Sequence, residues 1–438
     1  MIKSTGQTLY EKAKKLIPGG NHLLSKRPEL YLPEIWPSYY SKAKDCFIWD
    51  LDNNRYTDMS YMSVGTNSLG YSNNAIDEKV IHAVKNSNMS TLNCPEEVEL
   101  AEKLIDLHDW ADMVRFARTG GEANSISIRI ARAATGRDKI AICGYHGWHD
   151  WYLSANLSDN NSLNNHLLEG LSSAGVPKGL ANTVLPFNYN DVDGFKKLVS
   201  ENPDLAAVKM EVVRSREPKK GFLEEIRRLC TYYGIVLIFD ECTSGFRETF
   251  GGIHKKYGVT PDLCMFGKAL GNGYAITAVI GKEAIMQSAQ DTFISSTFWT
   301  ERIGPTAGLA TLNEMGKLDS WEIITSIGKN IKRTWQQLAT ENSICLEITG
   351  LDALATFVIK SDDWLKYKTY ITQEMLNRGF ISSNAVYPST RHTEDILESY
   401  FDALSEVFNN IGRFEKDIDS VEDNLVSDVC QSGFKRLN

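Results

Sequence analysis

The stretch "GIVLIFDECTSGFRETFGGIHKKYGVTPDLCMFGKALGNG", residues 234–273, decides the fold. It holds two short apolar runs, "GIVLIF" (234–239) and "LCMF" (263–266). Such runs, bounded by polar and glycine residues, read as strands buried on both faces, which is how parallel sheets look in sequence. Each run stops on charge. Asp240 and Glu241 follow the first; Lys268 follows the second after one glycine. Working outward, "MVRFA" (113–117), "KIAIC" (139–143) and "LAAVKM" (205–210) repeat the pattern, with helical stretches between them. Strands alternating with helices imply βαβ units. The expected fold class is α/β, a mainly parallel sheet between helices over residues 61–315.

The residues after these strands matter more than the strands. "MVRFA" leads to "RTGGE", "KIAIC" to "GYHGWHDW", "LAAVKM" to Glu211, "GIVLIF" to Asp240–Glu241 and "LCMF" to Gly267–Lys268. In open parallel sheets, ligands bind beyond the carboxyl ends of the strands. Five loops can therefore converge on one site.

Each loop has a plain structural reading beside a chemical one. "TGGEANSISIRIARAATG" (119–136) places Gly120 and Gly121 at the start of a helix. Free amides at a helix N-terminus bind phosphate; taken alone, the glycines read first as a ligand-free strand-to-helix turn. "GYHGWHDWY" (144–152) offers Tyr145 to stack on a planar ring, or an aromatic cluster under a loop. His146 and His149 have no partners at zinc-like spacing, so no metal is expected. Asp240, on the most apolar strand, needs a cation: a protonated ring nitrogen or a basic side chain. Lys268 alone would be a solvated strand end. Together, a phosphate cup, a stacking ring, a carboxylate and an imine-forming lysine are what pyridoxal 5'-phosphate requires.

Composition sets the outer bounds. The 438-residue chain is 42% hydrophobic and 24% charged, with a net charge of −9. It reads as a soluble globular protein of two domains. No basic face points to nucleic acid and no run is long enough for a membrane span. The eight cysteines form no CxxC pair, and the first residues lack a signal-peptide run, which suits the cytoplasm. An amphipathic helix is expected over 6–17, a hairpin over 46–60, and a helix over 393–412 with Ile396, Tyr400, Phe401, Leu404 and Phe408 inward. Residues 1–60 and 316–438 are expected to form a smaller α+β domain.

The segments "WDLDNNRYTDMS", "RTGGEANSISIRIARAATGRDKI" and "GYHGWHDW", with the opening stretch, resemble the class III, fold-type I aminotransferases, most closely the glutamate-1-semialdehyde aminomutase branch. The resemblance runs from "LIPGG" (16–20) to the helix near 393–412. It implies an aminotransferase moving an amino group between an amino donor and an oxo substrate through a Lys268 Schiff base. An intramolecular aminomutase or epimerase is the alternative. It implies that Asp240 holds the pyridine nitrogen protonated, that Tyr145 and Cys242 cover the two ring faces, and that Gly120 and Gly121 bind the phosphate. Glu211 would belong to the active-site hydrogen-bond network. Thr297 would reach the phosphate of a neighbouring subunit, which makes a homodimer the expected assembly. Arg302, Lys26 and Arg27 are candidates for a substrate carboxylate, with ordinary surface charge the equal reading. Trp148, Trp151, Phe298 and Trp299 are candidates for an apolar pocket or a dimer interface.

Overall fold

The computed structural model describes residues 3–166, 168–213 and 215–434. The chain divides into two compact units, Met1–Asn73 with Glu322–Asn438, and Asn74–Trp321. Both breaks fall later than residues 60 and 315, the boundaries expected from the sequence.

The first unit opens with a helix, Thr5–Leu16, capped reciprocally by Ser4 and Gln7. Strands β1 (Tyr40–Lys44), β2 (Phe47–Asp50) and β3 (Arg55–Met59) follow as an antiparallel meander. The β2–β3 turn is built by Asp50, whose Oδ1 accepts from the amides of Asp52 and Asn54, both at 2.9 Å. This is an aspartate holding its own downstream backbone.

The second unit carries the main sheet. Its strands are β4 (Met113–Ala117), β5 (Lys139–Cys143), β6 (Val184–Pro186), β7 (Leu205–Met210), β8 (Val236–Glu241), β9 (Leu263–Phe266) and β10 (Thr277–Gly281). The spatial order is β4-β10-β9-β8-β7-β5-β6. Only β10 runs against its neighbours. Every residue of β7, β8, β9 and β10 is buried. Burying one Val, Leu or Ile side chain contributes about 1.5–3 kcal/mol, so the charges these strands carry must be held by specific partners.

Four strands run where the sequence placed them: β4, β5, β7 and β9. The fifth, β8, extends through Asp240 and Glu241 instead of stopping at Phe239. Both carboxylates are therefore strand residues, and the pleat sends them to opposite faces of the sheet. β6 has three residues, and β10 is reversed, so the charge that follows it, Lys282, lies beside Asp262 at the start of β9 and not at the carboxyl ends of the parallel strands.

The chain then returns to the first unit with β11 (Leu346–Thr349), β12 (Ala355–Ile359), β13 (Phe380–Ser382) and β14 (Ala385–Val386). β13 joins β3 in parallel; β11, β12 and β14 form a separate small sheet. The helix expected near 393–412 is Glu394–Phe414. Its buried stripe is Leu397, Tyr400, Leu404, Val407, Phe408 and Ile411, with Ile396 and Phe401 only partly covered. It closes on Trp335, whose indole N–H donates to Tyr400 Oη at 3.1 Å.

Candidate active site

The helix Gly120–Thr135 starts at the carboxyl end of β4. Thr119 caps it, its hydroxyl accepting from the Glu122 amide while Glu122 reaches back to the Thr119 amide at 2.8 Å. The Ala123 amide is taken by the Thr119 carbonyl. The amides of Gly120 and Gly121 lie ahead of these bonds, at the positive tip of the helix. A side chain at Gly121 is disfavoured, because its Cβ would lie 3.0 Å from His149 Nε2. His149 is anchored from behind, Nδ1 at 2.5 Å from Ser125 Oγ. Trp151 donates its indole N–H to the same hydroxyl.

Asp240 is buried on β8. Its Oδ2 accepts from His146 Nδ1 at 2.8 Å, and its Oδ1 accepts from the Cys242 amide at 3.1 Å. A carboxylate has about four lone-pair directions, so two remain for a further donor. Burial alone raises the Asp240 carboxyl. The His146 hydrogen bond, the Lys209 charge and the Cys242 amide outweigh it and hold the group well below the usual carboxylate range. His146 is fully buried, and its Nε2 has no hydrogen-bond partner among the described residues.

Lys268 opens a short 3-10 turn, Lys268–Gly271, directly after Gly267. Its own φ is +30°, outside the regions L-residues favour. Strain of this kind clusters at functional sites. The ammonium nitrogen donates to Thr243 Oγ1 at 2.8 Å. Cys242 joins this turn to the helix tip: its Sγ lies 3.4 Å from a Cβ built on Gly267 and 3.8 Å from one built on Gly120. Burial pushes the Cys242 thiol well above its ordinary range, with Asp240 adding to the effect. It is a neutral packing group.

Glu211, just past β7, accepts from the Tyr145 amide at 3.2 Å. It also fills the space a side chain at Gly144 would need, with Oε2 2.7 Å from the built Cβ. Gly144 sits at φ +121°, where only glycine is comfortable. Glu211 thus fixes the backbone that carries Tyr145, whose ring meets Tyr152 edge-on at 6.0 Å. A cavity of about 790 Å³ adjoins these residues, lined by Gly144, His166, Tyr189, Glu211, Arg216 and Lys219 among others.

Seven of the eight site residues named from sequence thus lie at or just beyond the carboxyl ends of the parallel strands of one sheet. Thr297 does not join them within this chain. It is exposed, at the start of a short turn Thr297–Thr300. That turn is tied to the helix tip by Trp299, whose indole donates to Glu122 Oε1 at 3.1 Å. The candidates for a substrate carboxylate fare differently. Arg302 is engaged by Glu96, with contacts from 2.6 to 3.0 Å, which makes it a structural ion pair. Arg27 stacks over Phe434 at 5.6 Å. Trp148 and Phe298 are exposed, whereas Trp151 is buried in the core.

Sequence reasoning missed three partners. Thr243 follows Cys242 directly. His146 was weighed only as a metal ligand. Lys209 passed as part of an apolar strand, although a lysine inside "LAAVKM" was itself a signal. One group of possible metal ligands, Glu241, His254 and Cys264, lies on the other side of the sheet. Both ring nitrogens of His254 are spent: Nδ1 donates to Glu241 at 2.6 Å and Nε2 accepts from Trp110 at 2.9 Å. No lone pair is left there for a metal.

The donor set fits a phosphorylated pyridine aldehyde: amides for the phosphate, an incompletely filled carboxylate for the ring nitrogen, and a primary amine for the aldehyde. Comparison with known proteins agrees. Residues 33–397 match the aminotransferase class-III family model. The chain is 33% identical over 413 residues to a 3-aminobutyryl-CoA aminotransferase of Cloacimonas acidaminovorans, covering 91% of this chain and 95% of that one. It is 30% identical over 430 residues to a glutamate-1-semialdehyde 2,1-aminomutase of Methanocaldococcus jannaschii, covering 92% and 97%. Among solved structures, the PLP form of the Sphingopyxis sp. MTA144 FumI protein superposes with a TM-score of 0.86 at 24% identity, over 96% of this chain and 100% of that one. The chain belongs to the class III aminotransferases, with the fold-type I architecture and pyridoxal phosphate as cofactor.

Proposed function

We propose, with class III membership as the premise, that Lys268, Asp240 and the Gly120–Gly121 tip form the catalytic site of this aminotransferase. The observation that carries the reading is the Cys242 side chain, packed against both Gly267 and Gly120. It brings the lysine turn and the anion-binding tip within one side chain of each other. Pyridoxal phosphate supplies a protonated pyridine ring that takes up the electron pair left when the substrate carbon loses its proton.

The protein residues do the rest. The Gly120 and Gly121 amides hold the phosphate at the helix N-terminus. Asp240, kept ionised by His146 and Lys209, accepts the ring N–H and keeps that proton in place. Tyr145 and Cys242 cover the ring faces, and Glu211 fixes the Tyr145 backbone. Lys268 would hold the cofactor through its aldehyde, and its Nζ would serve as the base that moves the proton of the donor carbon. Thr243 aims that nitrogen through its 2.8 Å hydrogen bond.

Thr297 completes the site of a second subunit. Its exposure, beside the exposed Phe293 and Phe298, supports a homodimer. No described helix is long and apolar enough to cross a membrane, and all eight cysteines are free thiols. Both support work in the reducing cytoplasm.

The test is a single half-reaction. Protein loaded with cofactor is given an amino donor and no acceptor. Loss of the visible cofactor band with release of one oxo product per site establishes the transferase. Rearrangement or inversion of the donor without a released oxo product would replace it with the aminomutase or epimerase reading. Lys268→Ala should bind cofactor and complete no turnover.

A further inference from the structure

A fully buried lysine stands one strand from Asp240. Lys209 lies on β7 in register with Ile238 of β8. Asp240 is two residues past Ile238, so the pleat puts Lys209 and Asp240 on the same face. Met265 of β9 is in register with Asp240, and the Lys209 ammonium lies 2.7 Å from Met265 Sδ. Among the described residues its other hydrogen-bond partner is Ser127 Oγ, at 3.1 Å, on the helix that carries Gly120 and Gly121. The Ser127 hydroxyl hydrogen is already given to the Asn124 carbonyl, so its oxygen serves Lys209 as an acceptor. Lys209 has no exposed surface. Three N–H donors face one hydroxyl oxygen and one thioether, which is poor solvation for a cation.

We propose that Lys209 is a positioning residue that shares the Asp240 carboxylate with the cofactor's ring nitrogen and sets how firmly that nitrogen holds its proton. The inference rests on the cofactor reading above. Before the cofactor arrives, Lys209 keeps Asp240 ionised inside an apolar sheet. When a pyridinium takes up the open lone pairs of Asp240, one carboxylate faces two cations. The less well solvated cation, Lys209, gives up a proton to solvent. Cofactor binding and Lys209 deprotonation are thereby linked.

The groups around Lys209 permit this. Burial pulls the ammonium down to about 8, opposed by the Asp240 charge. The other titratable groups that act on it are the thiols of Cys242 and Cys264, both pushed far up by burial and so neutral. His146 and Lys268 act on the neighbouring carboxylate and thiol, His146 on Asp240 and Lys268 on Cys242.

The probe is pyridoxamine phosphate, which keeps the ring and phosphate but cannot bond to Lys268. Its affinity for cofactor-free full-length protein is measured from pH 6.5 to 9. Proton release is measured by calorimetry in two buffers of different ionisation enthalpy. In the wild type, affinity should climb by up to about tenfold per pH unit below 8 and then level. Lys209→Met and Lys209→Gln should bind more tightly at pH 7 and lose this slope and the released proton. Wild-type binding with the same pH profile in both variants would overturn the role of Lys209 and leave the cofactor reading intact. Failure of wild-type protein to bind either pyridoxal or pyridoxamine phosphate would overturn both. Two variants guard against misfolding in one, since glutamine can keep the Ser127 contact that methionine loses.

Discussion

Asp240 and Glu241 are consecutive residues on one buried strand, each paired with a buried histidine, and their surroundings differ. On the Glu241 face both carboxylate oxygens are held by hydrogen bonds, three in all among the described residues. Oε1 accepts from the His254 amide at 3.0 Å and from its ring, and Oε2 accepts from the Ile253 amide. His254 is in turn held by Trp110. His108 accepts the Gly252 amide at 2.9 Å and donates to the Leu104 carbonyl at 2.8 Å. On the Asp240 face the network is left incomplete. The carboxylate keeps unfilled lone pairs, His146 Nε2 has no partner among the described residues, and Lys209 is poorly solvated. A saturated buried network stabilises and specifies the fold; an unsaturated one is retained where a ligand completes it.

The contrast can be broken experimentally. The largest effect belongs to Lys268. Lys268→Ala should lower kcat by at least about 10⁴-fold with little change in thermal stability, read from single-turnover kinetics and a melting curve. Next come the two carboxylates, exchanged one at a time. Asp240→Asn should cost about 10²–10³-fold in kcat and also some stability, because it removes the anion that faces the buried Lys209. Glu241→Gln should lose about 3 kcal/mol of stability while folded molecules keep their turnover. If both variants lose activity equally, the two faces are not functionally distinct.

Thr243→Val tests a finer point. Losing the hydroxyl that aims Lys268 should slow turnover about 5- to 10-fold, the equivalent of about 1 kcal/mol, without affecting cofactor uptake. The last expected effect concerns alkaline stability. Lys209 titrates lower folded than unfolded, so the unfolded chain holds more protons between pH 8 and about 10.5. Stability therefore rises with pH across that window, by roughly 3 kcal/mol at most. The rise should be missing in Lys209→Met. Denaturant unfolding of both proteins at pH 7 and pH 10 reads the difference directly, because contributions from the buried tyrosines and cysteines cancel in the comparison.

Much of this site was legible in the sequence because its chemistry sits at strand ends. An apolar run that stops at a charge announces both the strand and the place where the sheet edge opens. Four of the strands and the Gly120 helix could be placed this way. β6 could not, since three residues carry no periodicity; β10 also stops at a charge, Lys282, but runs the other way, so that charge pairs with Asp262 at the far end of the sheet. Thr297 was legible as a resemblance only, because its proposed partner lies outside the chain.

What the sequence determined alone was the set of candidate groups and their order along the chain: glycine pair, tyrosine, carboxylates, lysine. It could not assign the two carboxylates different fates. That depended on where β8 ends, since a strand extended by two residues points consecutive side chains to opposite faces. Nor could it pair Lys209 with Asp240, 31 residues away. Their proximity exists only because β7 and β8 lie side by side in parallel register, and a buried charge takes its meaning from the few groups the fold leaves within its reach.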